Sequence, residues 1–220
     1  MKTVTDFTPE AIRNNWLLTQ IVGGNAWSEI DSDPPLRQIK PDDWPAPRAA
    51  FRLRSRFEQA LVVMQRSIET VPGAHVTLSV SACVQAGDGD NPPRLHNNAG
   101  NNRLVVAIDP AGNTDLFAAS VRNDNIPIVY EWQDYTLAAD ASGRRAMLHA
   151  GFWLAKEDRY HYPALNGWIR SLRLEVETPD LPPPSGDTPP VIITAPGFAI
   201  ETAVDLGDRW RIVMIVPKAK

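Results

Sequence analysis

Aromatic side chains beside polar groups are the residues of this chain best suited to bind a ligand. A sugar ring needs a flat aromatic face for its C–H side and planar polar groups for its hydroxyls, and Trp and Tyr supply both a π surface and a polar atom. The sequence of 220 residues contains 7 Trp and 4 Tyr. The candidates for such a site are Trp27, Trp44, Tyr130, Trp132, Trp153, Tyr160, Tyr162 and Trp168.

The densest aromatic cluster is Tyr160-His161-Tyr162-Pro163. It precedes the last strand of the main predicted body, where a binding rim could form. The residues that we predict to bind a ligand are Trp27, Trp44, Arg54, Tyr160, His161 and Tyr162. A structural role, in the core or as a loop anchor, stays open for the aromatic residues and is favoured for Trp16 and Trp132.

Three arginines alternate with apolar residues in the range 51–57, namely Arg52, Arg54 and Arg56. Alternation with period two places them on one face of a strand. Their forked guanidinium groups could bind an anionic sugar or a phosphate. They could also pair with acidic residues of neighbouring strands, and this role is favoured. The acidic residues considered as partners are Glu69, Glu131 and Glu175.

Residues for catalysis or metal binding are scattered along the chain. Its four histidines lack H-x-x-x-H spacing and Cys83 is the single cysteine, which argues against a zinc site and an internal disulfide. Asp88-Gly89-Asp90-Asn91 resembles part of a calcium loop but lacks the distal Glu, which favours a polar turn. No nucleophile elbow, phosphate-binding loop or dinucleotide motif occurs. We predict a non-catalytic protein without cofactor or metal, although a glycosidase-type carboxylate pair stays open.

The acidic balance of the chain argues against nucleic acid as a partner. Lys and Arg number 22 against 26 Asp and Glu, a net charge of -4, whereas proteins that neutralise phosphates are usually basic. No apolar run approaches the about 18 residues of a membrane span. The first residues lack the apolar core of a secretory signal. This favours synthesis in the cytoplasm, and a place in a virion released by lysis stays open.

Period-two hydrophobic patterns and frequent turn signals predict an all-β fold, and 20 prolines argue against long helices. The predicted strands cover residues 16–22, 49–57, 61–68, 75–85, 104–108, 126–139, 145–155 and 168–176. About eight strands with such turns indicate a sandwich or barrel. The rest of residues 1–47 is expected to be irregular, apart from a short helix with Thr8 as its N-cap and Pro9 at its first position.

The composition changes after the last of these strands. Residues 178–190 include six prolines and predict a stiff extended linker between a body of residues 1–177 and a short β arm of residues 191–220. An isolated hairpin is marginal in water, so we expect the arm to pair with its own sandwich or with another chain. The residues predicted to make assembly contacts are Trp210, Ile212, Met214 and Val216.

Sequence motifs follow a defined order from Phe7 to Val176. They are Trp16, a loop with Trp27 and Trp44, the arginine-flanked strand at 49–55, the strand at 61–68, the turn and strand at 71–82, Trp132-Gln133-Asp134-Tyr135-Thr136-Leu137, and the closing strand at 168–174. This order resembles that of bacterial carbohydrate-binding modules of the galactose-binding-like jelly-roll type. The resemblance implies a jelly-roll β-sandwich and a carbohydrate ligand.

The closing strand departs from the pattern of these modules. In them it usually carries acidic residues that can help to hold a structural calcium ion, whereas this chain has Arg170 and Ser171 at those places. Arginine cannot ligate Ca²⁺, so the resemblance does not extend to calcium. A calcium ion bound through backbone oxygens is an alternative that no residue pattern supports.

Two functions remain compatible with the sequence. The first is a non-catalytic β-sandwich module that binds a glycan or polysaccharide. The second is a structural assembly protein, such as a phage capsid-decoration, tail or fibre component, that uses the C-terminal arm for contacts with further copies or with virion neighbours. Neither function involves nucleic acid or a membrane.

Overall fold

The computed structural model describes residues 1–23, 26–34, 49–56, 59–88, 94–95, 99–127, 130–155, 164–179, 198–200, 203–205, 210–212 and 215–217. The chain divides into two compact units, Met1–Pro179 and Asp180–Lys220. Most of the predicted linker, residues 180–190, lies outside the described residues. Thr178 is described, and its backbone N–H donates to the carbonyl of Met1 at 2.8 Å.

In chain order, the first unit contains β1 (Lys2–Phe7), α1 (Pro9–Asn15), β2 (Leu17–Val22), β3 (Ala26–Asp31), β4 (Ala50–Arg56), β5 (Ala60–Glu69), β6 (His75–Gln85), β7 (Gly87–Asp88), β8 (Arg94–Leu95), β9 (Arg103–Asp109), a 3-10 turn (Leu116–Ala118), β10 (Val121–Pro127), β11 (Gln133–Asp140), β12 (Arg145–Leu154) and β13 (Ala164–Glu177). Among the described residues, no helix is long and apolar enough to cross a bilayer.

The strands of the first unit form two antiparallel sheets. The first sheet has the order β11-β6-β13-β4-β3, and β1 pairs with the distal part of β13. The second sheet has the order β10-β9-β12-β5-β2. The main core combines inward side chains from both sheets. The architecture is therefore an all-β sandwich, which confirms the predicted fold class.

The two sheets contain six and five strands, more than the periodicity predicts. β1 and β3 lie in the N-terminal part that was expected to be irregular, and the predicted strand at 126–139 is divided between β10 and β11. Apart from Phe7, β1 is exposed along its length. It therefore shows no hydrophobic alternation, and its strand form depends on pairing with β13.

The short helix α1 begins and ends as the sequence predicts. The Thr8 Oγ1 accepts a hydrogen bond from the Ala11 backbone N–H at 3.3 Å, and Pro9 stands in the first turn, where its missing N–H has no partner to lose. Trp16 follows the helix and lies in the core, with its ring edge-on to Phe7 at 5.7 Å. The structural role expected for Trp16 is confirmed.

Strand β6 shows why one face of each strand is apolar. Its inward residues Val76, Leu78 and Val80 are at most 1% exposed and belong to the main core. The outward face is also buried in its second half, where Cys83 lies opposite Trp168 of β13 and both residues are buried. Cys83 is thus a small packed thiol, as expected, although it stands on the face that reads as polar in the sequence.

The second unit contains four short strands, β14 (Phe198–Ile200), β15 (Ala203–Asp205), β16 (Trp210–Ile212) and β17 (Ile215–Pro217). β14 pairs with β17 and β15 with β16, both antiparallel. Phe198 lies opposite Pro217 and Asp205 opposite Trp210, so the two pairs share one register. One β-hairpin therefore accounts for all four strands, and the backbone of β16 pairs within this unit.

Candidate functional site

Alternate residues of β3, β4 and β13 point away from the core and form the outer face of the first sheet. The strand register aligns them in rows, so that Trp27 lies opposite Arg54 and Glu29 opposite Arg52. We call this surface the binding face; its residues are Trp27, Glu29, Asp31, Arg52, Arg54, Asn166 and Trp168.

Trp27 and Arg54 form the exposed end of the binding face. The Arg54 guanidinium carbon lies 4.9 Å from the centroid of the Trp27 ring, within the range of a cation–π contact. Trp27 is 38% exposed, and the Arg54 side chain is 24% exposed. Cross-strand pairing therefore places an accessible aromatic surface beside an accessible cation.

Arg52 is the centre of the binding face. Its Nε and Nη2 donate to the Asn166 Oδ1 at 2.9 and 2.6 Å, and its Nη1 donates to the Glu29 Oε1 at 3.1 Å. Its guanidinium carbon also lies 5.0 Å from the centroid of the Trp168 ring. A strand on each side thus fixes the orientation of this guanidinium.

Two carboxylates hold the cations and the buried ring in place. Glu29 accepts from the Nη1 atoms of both Arg52 and Arg54, at 3.1 and 3.2 Å. Asp31 accepts from the indole Nε1 of Trp168 at 2.8 Å and lies 3.4 Å from Arg52 Nη1. These bonds satisfy the polar atoms that burial would otherwise leave at a cost.

Burial and the neighbouring charge of Arg54 lower the pKa of Arg52, while Asp31 and Glu29 act in the opposite direction. A guanidinium stays protonated at physiological pH in spite of such a shift. The face therefore presents fixed positive charge balanced by two carboxylates.

An apolar patch continues the face towards β11. Trp168 is buried and packs with Ala50, and Trp132 packs against both. The Arg170 guanidinium carbon lies 5.7 Å from the centroid of the Trp132 ring, and Arg170 is 3.7 Å from the Asp134 carboxylate. The loop-anchor role expected for Trp132 agrees with this packing.

The arrangement is chemically suited to holding a ligand rather than to transferring protons. Glu29 and Asp31 already accept bonds from arginine or indole N–H groups, and the exposed groups are an aromatic ring, a guanidinium and a carboxylate edge. Within the described residues, no group of three or more His, Cys, Asp and Glu side chains could hold a metal ion.

The structure places only part of the sequence-predicted site. Trp27 and Arg54 come together on the binding face, whereas the other candidates, Trp44, Tyr160, His161 and Tyr162, lie outside the described residues. Among the assembly candidates, Trp210 and Ile212 lie in β16 and Val216 in β17, and Met214 lies outside the described residues. The roles of these residues stay predictions.

Cross-strand pairing of the arginines is confirmed, but with other partners. Arg52 and Arg54 pair with Glu29 and Asp31. Glu175, one of the expected partners, instead binds Lys2 at 2.7 Å and Arg173 at 2.9 Å. The error follows from the missed strand β3, whose carboxylates were expected in an irregular segment.

Glu29, Asp31 and Asn166 are the residues of the face that sequence reasoning missed. A signal for two of them exists, because Trp27, Glu29 and Asp31 alternate with Ser28 and Ile30 as in a strand with one polar face. No comparable signal marks Asn166, since its role depends on the register between β13 and β4.

This chain matches no protein-family model and no curated protein. Similar solved structures include the enzymatically active domain of tailspike protein 4 from bacteriophage CBA120, with 15% identity and a TM-score of 0.43 over 72% of this chain. The chain spans 19% of the length of that tailspike chain.

This chain covers most of the length of two other similar structures. TmCBM61, solved in complex with β-1,4-galactotriose, has 10% identity and a TM-score of 0.40, covering 72% of this chain and 86% of that chain. The K1 cleaved adhesin domain of Lys-gingipain from Porphyromonas gingivalis W83 has 10% identity and a TM-score of 0.38, and the match covers 81% of this chain and 99% of that chain. None of these likenesses carries a function to this chain.

Proposed function

We propose that the first unit is a non-catalytic β-sandwich module that binds carbohydrate on the binding face. The observation that supports this most directly is the register pair of Trp27 and Arg54. Trp27 is 38% exposed, and the Arg54 guanidinium lies 4.9 Å from the centroid of its ring. The C–H side of a pyranose packs on such a ring, and its hydroxyls bond to the polar groups beside it.

The polar groups next to Trp27 match the hydrogen bonds that a sugar hydroxyl makes. Arg54 uses its Nη1 for Glu29 and has further N–H donors. The Glu29 side chain is 37% exposed and offers acceptor oxygens. Because the Arg54 guanidinium lies over one face of the Trp27 ring, the sugar packs on the other face. A sugar hydroxyl, which both donates and accepts, then reaches Arg54 or Glu29 past the edge of the ring.

The binding face is ordered before a ligand arrives. Arg52, Asn166 and Asp31 fix its inner part through bonds of 2.6 to 2.9 Å. A preorganised surface loses little side-chain entropy on binding, which favours affinity for a weakly interacting ligand such as a sugar.

The test is isothermal titration calorimetry of the full chain with glycans that are selected on a glycan array. We expect Trp27→Ala and Arg54→Ala to weaken binding at least tenfold. The matched control is Arg173→Ala, which removes an arginine ion-paired with Asp6 and Glu175 on the same sheet, five residues beyond Trp168 on β13. Unchanged affinity in both face variants, or no binding to any glycan, would overturn the proposal.

A role in assembly is the second candidate function. The C-terminal unit is a separate hairpin, and a lone hairpin is marginal in water without a further surface to pack on. Its apolar residues Ile212 and Val216 are the proposed contacts. Light scattering of the full chain is expected to show an oligomer that Ile212→Asp with Val216→Asp dissociates, whereas a monomer for the unchanged chain would contradict the proposal.

A further inference from the structure

The second sheet carries an open depression that is separate from the binding face. Its volume is ≈ 360 Å³, and it is lined by Asn101, Arg103, Asp124, Asn125, Trp153 and Ala155. This volume lies at the lower end of the range of small-molecule sites, about 300–1,000 Å³. We call this feature the Trp153 depression.

Trp153 gives the depression a fixed aromatic wall. It stands near the end of β12, between Leu61 of β5 and Arg103 of β9. Its partly buried ring packs on an outer apolar cluster of Leu61, Val63, Val105, Ala107, Leu116 and Ala119. The part of Trp153 that this cluster does not cover lines the depression, so the ring needs no rearrangement to receive a ligand.

A β-bulge in β10 supplies two further polar groups that line the depression. The register between β10 and β9 shifts between Asn123 and Ile126, which leaves Asp124 and Asn125 out of regular pairing. Bulges redirect side chains and are frequent beside functional sites. Arg122 Nε lies 3.1 Å from the Asp124 Oδ2, and the Asn125 backbone N–H donates to the Asn123 Oδ1 at 3.2 Å. The bulged residues are therefore held in place.

Asn102 is a buried residue that connects two of the segments that line the depression. It is fully buried, its Nδ2 donates to the Ala99 carbonyl at 2.6 Å, and its Oδ1 accepts from the Ala155 backbone N–H at 2.9 Å. Its side chain thereby ties the segment that carries Asn101 and Arg103 to the end of β12. This residue positions the lining groups and does not line the depression itself.

The charges of the lining groups indicate the chemical class of the ligand. Arg103 supplies one cation and Asp124 one carboxylate, and Asn101 and Asn125 add neutral amides. Arg103 Nε donates to the Asn125 Oδ1 at 3.3 Å, and its Nη1 donates to the Asn102 carbonyl at 2.7 Å. The carboxylate of Asp124 balances the charge of Arg103, which disfavours an anionic ligand. A single carboxylate also provides too few ligands for a divalent cation. Hydroxyl groups, which donate and accept, fit this set on an aromatic wall.

From this geometry we infer that the Trp153 depression is a second saccharide-binding site, which takes one neutral pyranose residue. This inference does not depend on the proposal for the binding face, because the two sites share no residue and lie on different sheets.

The test uses the full chain labelled with ¹⁵N and titrated with methyl glycosides of glucose, galactose and mannose at millimolar concentration. We expect at least one glycoside to shift the indole N–H signal of Trp153 and the side-chain amide signals of Asn101 or Asn125. Arg103→Ala and Asn125→Ala are expected to weaken that binding at least tenfold. Arg13→Ala and Asn14→Ala, exposed substitutions of the same types on α1, are the matched controls.

The outcomes separate this site from the binding face. A response of Trp153 that persists in Trp27→Ala supports the second site independently of the first. Absence of any Trp153 shift with all three glycosides, or shifts that remain unchanged in Arg103→Ala and Asn125→Ala, would overturn the inference. Shifts confined to Trp27 would also overturn it and would leave the proposal for the binding face intact.

Discussion

The ring of Phe152 on β12 lies directly against Gly167 on β13, in the space that a side chain on Gly167 would fill. A Cβ built on Gly167 would stand 2.5 Å from the ring, closer than real Cβ contacts allow. Phe152 is fully buried, and it connects the second sheet to the strand that carries Asn166 and Trp168. The position of the binding face on the sandwich thus depends on a glycine in the middle of a strand.

Gly167→Ala is expected to destabilise the protein by about 1–3 kcal/mol, because the added methyl forces Phe152 or the backbone to move in a packed core. Urea unfolding followed by fluorescence measures the change. The matched control is Gly143→Ala, where a Cβ meets nothing within 4 Å. Equal stability of the two variants would show that the Phe152 ring adapts without cost.

Sequence periodicity predicts the centre of this fold better than its edges. Residues 75–85 alternate cleanly, and β6 has those bounds. β1 and β3 are edge elements whose strand form depends on pairing with β13 and β4. β1 carries no hydrophobic alternation, and β3 carries only the short alternation from Trp27 to Asp31. The binding face was likewise predictable only in part. Trp27 and Arg54 can be recognised as ligand-binding candidates from their residue types, whereas the role of Asn166 depends on the register between β13 and β4.

Arg52→Ala is expected to destabilise the protein by roughly 2–4 kcal/mol. The substitution removes one of the two arginine donors to Glu29, the ion pair with Asp31 and both guanidinium donors to the Asn166 Oδ1, in a place where the Arg52 side chain is 15% exposed. Thermal or chemical unfolding measures the loss. Arg173→Ala, which removes a far more exposed ion pair, is expected to change stability much less. A comparable effect of both substitutions would contradict the central role of Arg52.

Asp109→Ala is expected to cost about 1.5–3 kcal/mol, the usual effect of losing hydrogen bonds to a charged group. Burial acts to raise the pKa of Asp109, but hydrogen bonds from Asn113, Ala111 and Gly112 outweigh it and lower the pKa. The Oδ1 accepts from the Ala111 and Asn113 backbone N–H groups at 2.9 and 3.0 Å. Asp109→Asn keeps an acceptor oxygen and should lose less stability, which chemical unfolding of both variants checks.

The amide of Gln65 fixes the proton on His149. Gln65 Oε1 accepts from Thr19 Oγ1 at 3.1 Å, and its Nε2 donates to the Thr114 carbonyl at 2.8 Å. The same Nε2 lies 3.3 Å from His149 Nδ1, which therefore accepts, so the ring proton is on Nε2. A second proton on Nδ1 would face a donor.

The stability of the protein should fall as the pH drops from about 6.5 towards 4. Burial lowers the pKa of His149 from 6.5 to about 4, while the charges of Asp109 and Asp115 act to raise it. In this interval the unfolded chain binds a proton that the folded chain does not, so acid favours unfolding by up to about 1.4 kcal/mol per pH unit. His149→Gln should remove this part of the dependence in urea unfolding between pH 7 and 4. An identical pH slope in the two proteins would show that carboxylates alone cause it.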